Sequence, residues 1–222
     1  MRVRVLVIGA SGGIGAAMVR AARARGDRVQ GLSRRVDGLD VTDEASVAAH
    51  LGALAGMFDV VIVATGGLET GGQGPEKSLR ALNPAAMAAQ FALNAIGPAL
   101  VLKHVARLLP RDRRAVFVAL SARVGSIGDN RAGGWYSYRA AKAALNQIIR
   151  TGAIELARSH RGLACLALHP GTVTTPLTAP YLGRHAAVTP DEAAQNLWAV
   201  IDGLSARDTG TFSDWAGKEI PW

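Results

Sequence analysis

A chain of 222 residues that is 49% hydrophobic and 19% charged fits one folded domain with its own core and excludes a disordered segment. The single cysteine, Cys165, excludes an intramolecular disulfide and a zinc site built on several thiolates, and no unbroken apolar run approaches the ~18 residues of a membrane span. The 25 Lys and Arg against 17 Asp and Glu give a net charge of +8, but the positive residues are spread out and aromatics are only 5%, which argues against a base-stacking nucleic-acid surface.

The first apolar stretch, Val3 to Ile8, is β-branched and too short for a signal-peptide core; it reads as a buried parallel strand, and a cytoplasmic setting is expected. A helix follows from about Ile14 to Arg25, stopped by Gly26. Arg28 to Leu32 is strand two and Gly38 to Val41 a very short third strand. Thr42 is the expected N-cap of a helix reaching about Ala55, with Asp43 and Glu44 in its first turn. Val60 to Ala64 is the clearest central strand, followed by a glycine-rich loop from Thr65 to Gly74. Pro84 opens a long helix ending near Pro110, bent at Gly97-Pro98. Ala115 to Leu120 is a strand, about Trp135 to His160 a helix, and Leu163 to Leu168 a strand. A Thr/Pro-rich loop, a helix from Asp191 to Leu204 and a short strand from Gly210 to Ser213 complete the chain. This alternation predicts an α/β fold: one domain over residues 1–222, a Rossmann-type doubly wound parallel sheet of about seven strands with helices on both faces.

After the first strand the chain reads Gly9-Ala10-Ser11-Gly12-Gly13-Ile14-Gly15. A strand feeding a glycine turn that opens a helix aims backbone N–H groups at a phosphate, and the glycines let a pyrophosphate approach. No G-K-[ST] follows, which argues against a nucleoside-triphosphate loop. Further along, Tyr138 and Lys142 stand four apart on a predicted helix and share a face, where an ammonium would favour the phenolate and lower the tyrosine pKa. Tyr138 then serves as proton donor or acceptor.

The G-x-x-x-G-x-G spacing resembles the short-chain dehydrogenase/reductase family, and other motifs agree in order. Asp40-Val41 resembles its adenine-contacting dipeptide, and Asn94 followed by Gly97 its helix-borne asparagine. Tyr138-Arg139-Ala140-Ala141-Lys142 matches Y-x-x-x-K, and Pro170-Gly171-Thr172-Val173-Thr174-Thr175 the P-G-x-V-x-T loop. The stretch before the tyrosine and the C-terminal F-S-D-W-A-G-K-E-I-P-W look closest to C-factor-like and sniffer-type carbonyl reductases. The resemblance implies an oxidoreductase moving a hydride between a nicotinamide cofactor and a carbonyl or alcohol. It implies that Lys142 also bonds the nicotinamide ribose, that the Asn94 carbonyl holds a water joined to Lys142, and that family members pair two long helices in a homodimer or homotetramer. Cofactor contacts carry over to Gly9, Ser11, Gly12, Gly13, Ile14, Ala64, Thr65, Gly66, Pro170, Val173 and Thr175.

Two departures stand out. The family serine registers on Ala122, leaving Ser121, Ser126 or no serine; Ser121 is the first choice, although alternation along a strand turns it from the substrate unless the strand end twists. The family's N-N-A-G reads Ala64-Thr65-Gly66-Gly67, and the span between strands two and three leaves no room for the usual helix. After strand two, Ser33, Arg34 and Arg35 suit the 2′-phosphate of NADP(H), with Asp37 expected to point elsewhere. The histidines, His50, His104, His160, His169 and His185, are scattered without metal-ligand spacing. A rival reading is a dinucleotide-binding sensor on the same fold with weak catalysis, motivated by Ala122 and the altered glycine strip. Neither nucleic acid nor membrane is expected as a partner.

Overall fold

A computed structural model describes residues 2–70, 72–182 and 187–222. His185 and the centre of the Thr172–Thr189 loop lie outside the described residues. In chain order the principal elements are β1 (Arg4–Ile8), α1 (Gly13–Ala24), β2 (Arg28–Leu32), the one-turn α2 (Arg34–Asp37), α3 (Glu44–Gly52) and β3 (Val60–Val63). They continue with α4 (Pro84–Phe91), α5 (Gly97–Val105), β4 (Ala115–Leu120), α6 (Tyr136–Leu156), β5 (Leu163–His169), α7 (Pro190–Gly203) and β6 (Phe212–Asp214). All strand pairs are parallel, in the order β2-β1-β3-β4-β5-β6.

The strands read as near-continuous apolar runs because both sheet faces are covered. Val5 and Val7 pack with Met18, Ala22, Leu197 and Trp198 on the α1/α7 side, while Leu6 and Ile8 pack with Val47, Val101, Leu145 and Ile149 on the α3/α5/α6 side. The densest positive run has structural partners: Arg113 pairs with Asp59 at 2.8 Å, and Arg114 donates to Leu204 O at 2.9 Å and Ile201 O at 2.6 Å at the end of α7. There its charge meets the carbonyl end of the helix.

The described sheet has six strands, and the expected third strand, Gly38 to Val41, is absent from it. Its backbone donors are used locally: Leu39 N–H donates to Ser33 O at 3.3 Å and Asp40 N–H to Ser46 Oγ at 3.0 Å. Leu39 and Val41 still reach the core. The α3 cap is Asp43, whose Oδ1 accepts the Ala45 N–H at 3.0 Å, and not Thr42. Thr42 instead donates its N–H and hydroxyl to Asp40 Oδ1.

The rod from Pro84 to Leu108 holds α4, a π turn over Ala92–Ile96 and α5. Over 18 residues its mean hydropathy is 1.6, so it is long and apolar enough to cross a membrane by length and composition alone. Here Ala95, Val101, Val105 and Leu108 are buried in the domain core. The irregularity falls at Asn94, just before the expected bend at Gly97-Pro98.

Candidate active site

The reversal of connection direction lies between β1 and β3, and such a switch point opens a crevice beyond the strand ends. At the end of β1, Gly9 and Ala10 donate their N–H groups to Leu32 O at 2.8 and 3.1 Å, pinning the turn to β2. A Cβ on Gly15 would lie 2.2 Å from Gly9 O, so only glycine lets α1 start this close to the turn. No side chain caps α1, and its first N–H groups have no acceptor within the helix. The turn just before it, with Gly9, Ser11 and Gly12, lines a cavity of about 310 Å³ together with Arg34, Asp40 and Thr65 among others.

The end of β2 differs from expectation. Ser33 is buried; its N–H and hydroxyl donate to Asp37 Oδ2 at 2.7 and 3.2 Å, and its Oγ accepts the Val36 N–H at 3.4 Å. The short α2 thus uses Ser33 as its own cap, so Ser33 is not a free third donor for a phosphate. Asp37 folds back onto Ser33 instead of pointing elsewhere. Arg34 and Arg35 line the cavity, and Arg35 Nη2 donates to Ser11 O at 3.4 Å. Asp40 and Val41 lie on the same wall. The Thr42 hydroxyl, then its N–H, hold the Asp40 carboxyl below its ordinary pKa against the opposing effect of burial, with Arg34 adding to the lowering.

Ala64, Thr65 and Gly66 are shared with a second cavity of about 140 Å³. Its wall brings together Ser121, Tyr138, Lys142, Pro170, Val173 and Thr175 from β4, α6 and the loop after β5. Asn94 does not line it. The buried Asn94 side chain accepts the Gly67 N–H at 3.1 Å and donates to Gly67 O at 2.9 Å and Gln90 Oε1 at 2.6 Å. Gln90, missed in the sequence, donates to Leu68 O at 2.8 Å. Together they hold the strip that departs from N-N-A-G. Gly66 has φ +154°, and a Cβ there would sit 2.9 Å from Asn94 Oδ1 and 3.5 Å from Lys142 Nζ. Asn94 thereby lies beside Lys142 without touching the open space.

Lys142 is buried and donates to Leu120 O at 2.9 Å, its Nζ 5.9 Å from the Tyr138 ring centre. Burial pushes its pKa down to about 8. Burial pushes the Tyr138 phenol up, opposite to the expected lowering by Lys142: loss of water around the phenolate outweighs an ammonium at this distance. A lysine whose folded pKa lies below its unfolded 10.5 binds fewer protons folded than unfolded between about pH 8 and 10.5. Stability therefore rises with pH through that window, and below it the buried cation is a cost. Lys142→Met should stabilise the cofactor-free protein at pH 7 by about 2 kcal/mol after loss of the Leu120 bond, a Tm gain of roughly 4–8 °C by calorimetry. A lower Tm would contradict this.

Ser121 is buried and its hydroxyl donates to Asn146 Oδ1 at 2.6 Å. Ser126 donates to Pro221 O at 2.5 Å, accepts the Asp129 N–H at 3.0 Å, and is absent from the wall of the second cavity; it anchors the C-terminal segment. Ala122 does line the cavity. His169, expected to be solvated or satisfied in the core, is another wall residue, with a buried Nδ1 that has no partner. Burial, then Arg123, push its pKa down to about 4 against the pull of Asp214, so it is neutral at pH 7. Its place at the strand end before Pro170 was the available signal. Trp135 meets the rings of Tyr138 and Tyr181 edge-on at 6.2 and 5.5 Å, and Tyr181 donates to Glu69 Oε1 at 2.6 Å. Among the described residues no group of three His, Cys, Asp or Glu is placed to hold a metal.

The cleft fits a dinucleotide on two observations: the uncapped α1 start behind the glycine turn, and Thr65 Oγ1, buried at the junction of the two cavities without a partner. Comparisons with known proteins point the same way. A family model described as enoyl-(acyl carrier protein) reductase matches residues 29–201. The chain is 32% identical over 234 residues to 1-hydroxy-2-glutathionyl-2-methyl-3-butene dehydrogenase of a Rhodococcus species, covering 98% of this chain and 99% of that one. It is 35% identical over 139 residues to C-signal of Myxococcus xanthus, over 61% of this chain and 78% of that protein. An NADPH-bound carbonyl reductase from chicken fatty liver superposes over the whole of both chains with a TM-score of 0.83 at 25% identity.

Proposed function

The chain belongs to the short-chain dehydrogenase/reductase family of NAD(P)-dependent oxidoreductases, and from that premise we propose that it interconverts a small carbonyl compound and its alcohol with NADP(H). One observation carries the reading: Tyr138 and Lys142, one turn apart on α6, face a cavity that shares Ala64, Thr65 and Gly66 with the phosphate cleft. Bound NADP(H) supplies the hydride in reduction and takes it in oxidation. The Gly9–Ile14 turn would hold its pyrophosphate, Arg34 and Arg35 the 2′-phosphate, and Asp40 and Val41 the adenine. Thr65, Lys142 and the Pro170–Thr175 loop would hold the nicotinamide half.

Tyr138 is the proton donor to the carbonyl oxygen. Its raised pKa keeps the phenol protonated at neutral pH, the form that reduction needs. Lys142 orients the ribose and stabilises the phenolate left after transfer. Asn94 acts from behind by bonding both the N–H and the carbonyl of Gly67. Ser121 keeps acceptor capacity but has its proton committed to Asn146, so Tyr138 carries most of the hydrogen bonding to the substrate oxygen.

That last point yields a gain-of-function prediction. Ala122→Ser adds a hydroxyl to the cavity wall at the place of a methyl group, and one added neutral hydrogen bond should raise kcat/KM about two- to tenfold. The comparison is steady-state reduction by parent and variant; unchanged or lower kcat/KM contradicts it.

NADPH consumption, followed by absorbance across a panel of aldehydes and ketones, tests the enzyme reading. The missing hydroxyl at Ala122 favours one alternative, a dinucleotide-binding sensor with weak turnover; tight NADPH binding without turnover on the whole panel selects it. The groove between α5 and α6, lined by Leu102, Ile148, Thr151, Gly152 and Leu156, supports association of copies into a homodimer or homotetramer, and a cytoplasmic location suits the single buried thiol.

A further inference from the structure

We propose that Glu76 is the positioning residue for Tyr138: from the loop after β3 it holds the first turn of α6, the turn that carries the phenol. The proposal rests on Tyr138 being the proton donor. α6 begins without a cap of its own: Trp135 precedes it with φ +53°, no side chain caps it, and its first turn has no acidic residue. A left-handed tryptophan is costly and persists only when its neighbours fix it.

Glu76, 61 residues away from Ser137, supplies what is missing. Its carbonyl oxygen accepts the Trp135 N–H at 2.6 Å. Its carboxylate accepts the Ser137 N–H at 3.2 Å and the Ser137 hydroxyl in a short bond. A carboxylate at a helix N-terminus satisfies a free N–H and meets the positive end of the helix dipole. Burial alone would raise the Glu76 pKa, but the Ser137 hydroxyl and the N–H bonds more than offset it, so the group is ionised at neutral pH.

Ser137 immediately precedes Tyr138, so bonds that fix Ser137 also fix the direction of the phenol. Trp135, fixed by the same residue, packs edge-on against Tyr138. At its other end the loop is tied to the rod by Gln90 to Leu68 O and by Thr70 Oγ1 to Ala86 O at 3.3 Å. Glu76 has no place in either cavity wall, so its effect reaches the reaction through Tyr138.

The test compares Glu76→Ala, Glu76→Gln and Ser137→Ala in the full chain. The first readout is hydrogen exchange of the 133–140 backbone without cofactor, and the second is kcat, KM and NADPH Kd on a carbonyl that the parent reduces. Glu76→Ala should speed exchange and lower kcat roughly 10- to 100-fold, since small misplacements of a reacting group cost that much. NADPH Kd should stay within about twofold. Glu76→Gln, which keeps an acceptor oxygen, should recover most of kcat, and Ser137→Ala should lie between. Parent-like exchange, parent-like kcat in Glu76→Ala, or parallel losses of kcat and NADPH affinity would overturn the proposal. If Glu76→Ala does not fold, parent-like kcat in Ser137→Ala overturns it, and a reduced kcat there with Glu76→Gln retaining activity upholds it. A parent that reduces no carbonyl defeats the assigned reaction instead, and the exchange result still judges whether Glu76 holds the turn.

Discussion

Tyr138→Phe should lower kcat for carbonyl reduction by about 10²- to 10⁴-fold, the usual contribution of a positioned general acid, while NADPH Kd changes by less than about twofold. The substitution removes one oxygen and leaves the ring against Trp135 and below Lys142 Nζ. No intramolecular hydrogen bond of the Tyr138 hydroxyl stands among those of the described residues, so the loss should fall on chemistry and not on folding. Stopped turnover with retained binding, read by NADPH absorbance and fluorescence titration, is the expected pair of results. Wild-type-like turnover would remove Tyr138 from the mechanism. Weakened NADPH binding in step with turnover would make the hydroxyl a cofactor contact.

For Arg34→Ala the expected result is a 10- to 100-fold loss of NADPH affinity with NADH affinity nearly unchanged. A charged hydrogen bond contributes roughly 1.5–3 kcal/mol, and NADH lacks the phosphate that takes it. The guanidinium can pair two N–H groups with phosphate oxygens, whereas Ser33 is committed to α2. Arg35 stands on the same wall, so it limits the loss in the single variant. The Asp37 carboxylate is bonded to Ser33 and does not line the cavity, whereas Asp40 stands on the wall that both arginines line. Titration of parent and variant with both cofactors decides the matter. Equal losses would show Arg34 acting through general charge or folding, and tighter NADH binding by the parent would reject the NADP(H) assignment.

The sheet and the Tyr138/Lys142 pair were legible because they depend on short-range regularities. β-branched runs between glycine turns make buried parallel strands, and four-residue spacing puts two side chains on one helix face. The third strand was misread because Gly38–Val41 has strand composition but spends its N–H groups on Ser33 and Ser46. Ser33 and Asp37 were misassigned for a related reason: a one-turn helix leaves almost no periodicity, yet its cap consumes the donors a phosphate would use. The bent rod was anticipated at Gly97-Pro98, but the irregular turn centres on Asn94, whose side chain bonds Gly67.

By itself, the sequence determined the order of the six observed strands, the glycine turn that opens α1, and the placing of Tyr138 and Lys142 on one face of α6. Each follows from neighbours within a few positions, where backbone sterics and side-chain periodicity act directly. Only the tertiary structure decided which polar groups remain free. It spent Ser121 on Asn146 and Ser126 on the C-terminal segment, set Ala122 and His169 in the wall of the cavity that Tyr138 lines, and brought Glu76 to a helix 61 residues further on. Those outcomes depend on which donors and acceptors meet across the fold, and a buried polar group takes whatever partner packing brings within reach.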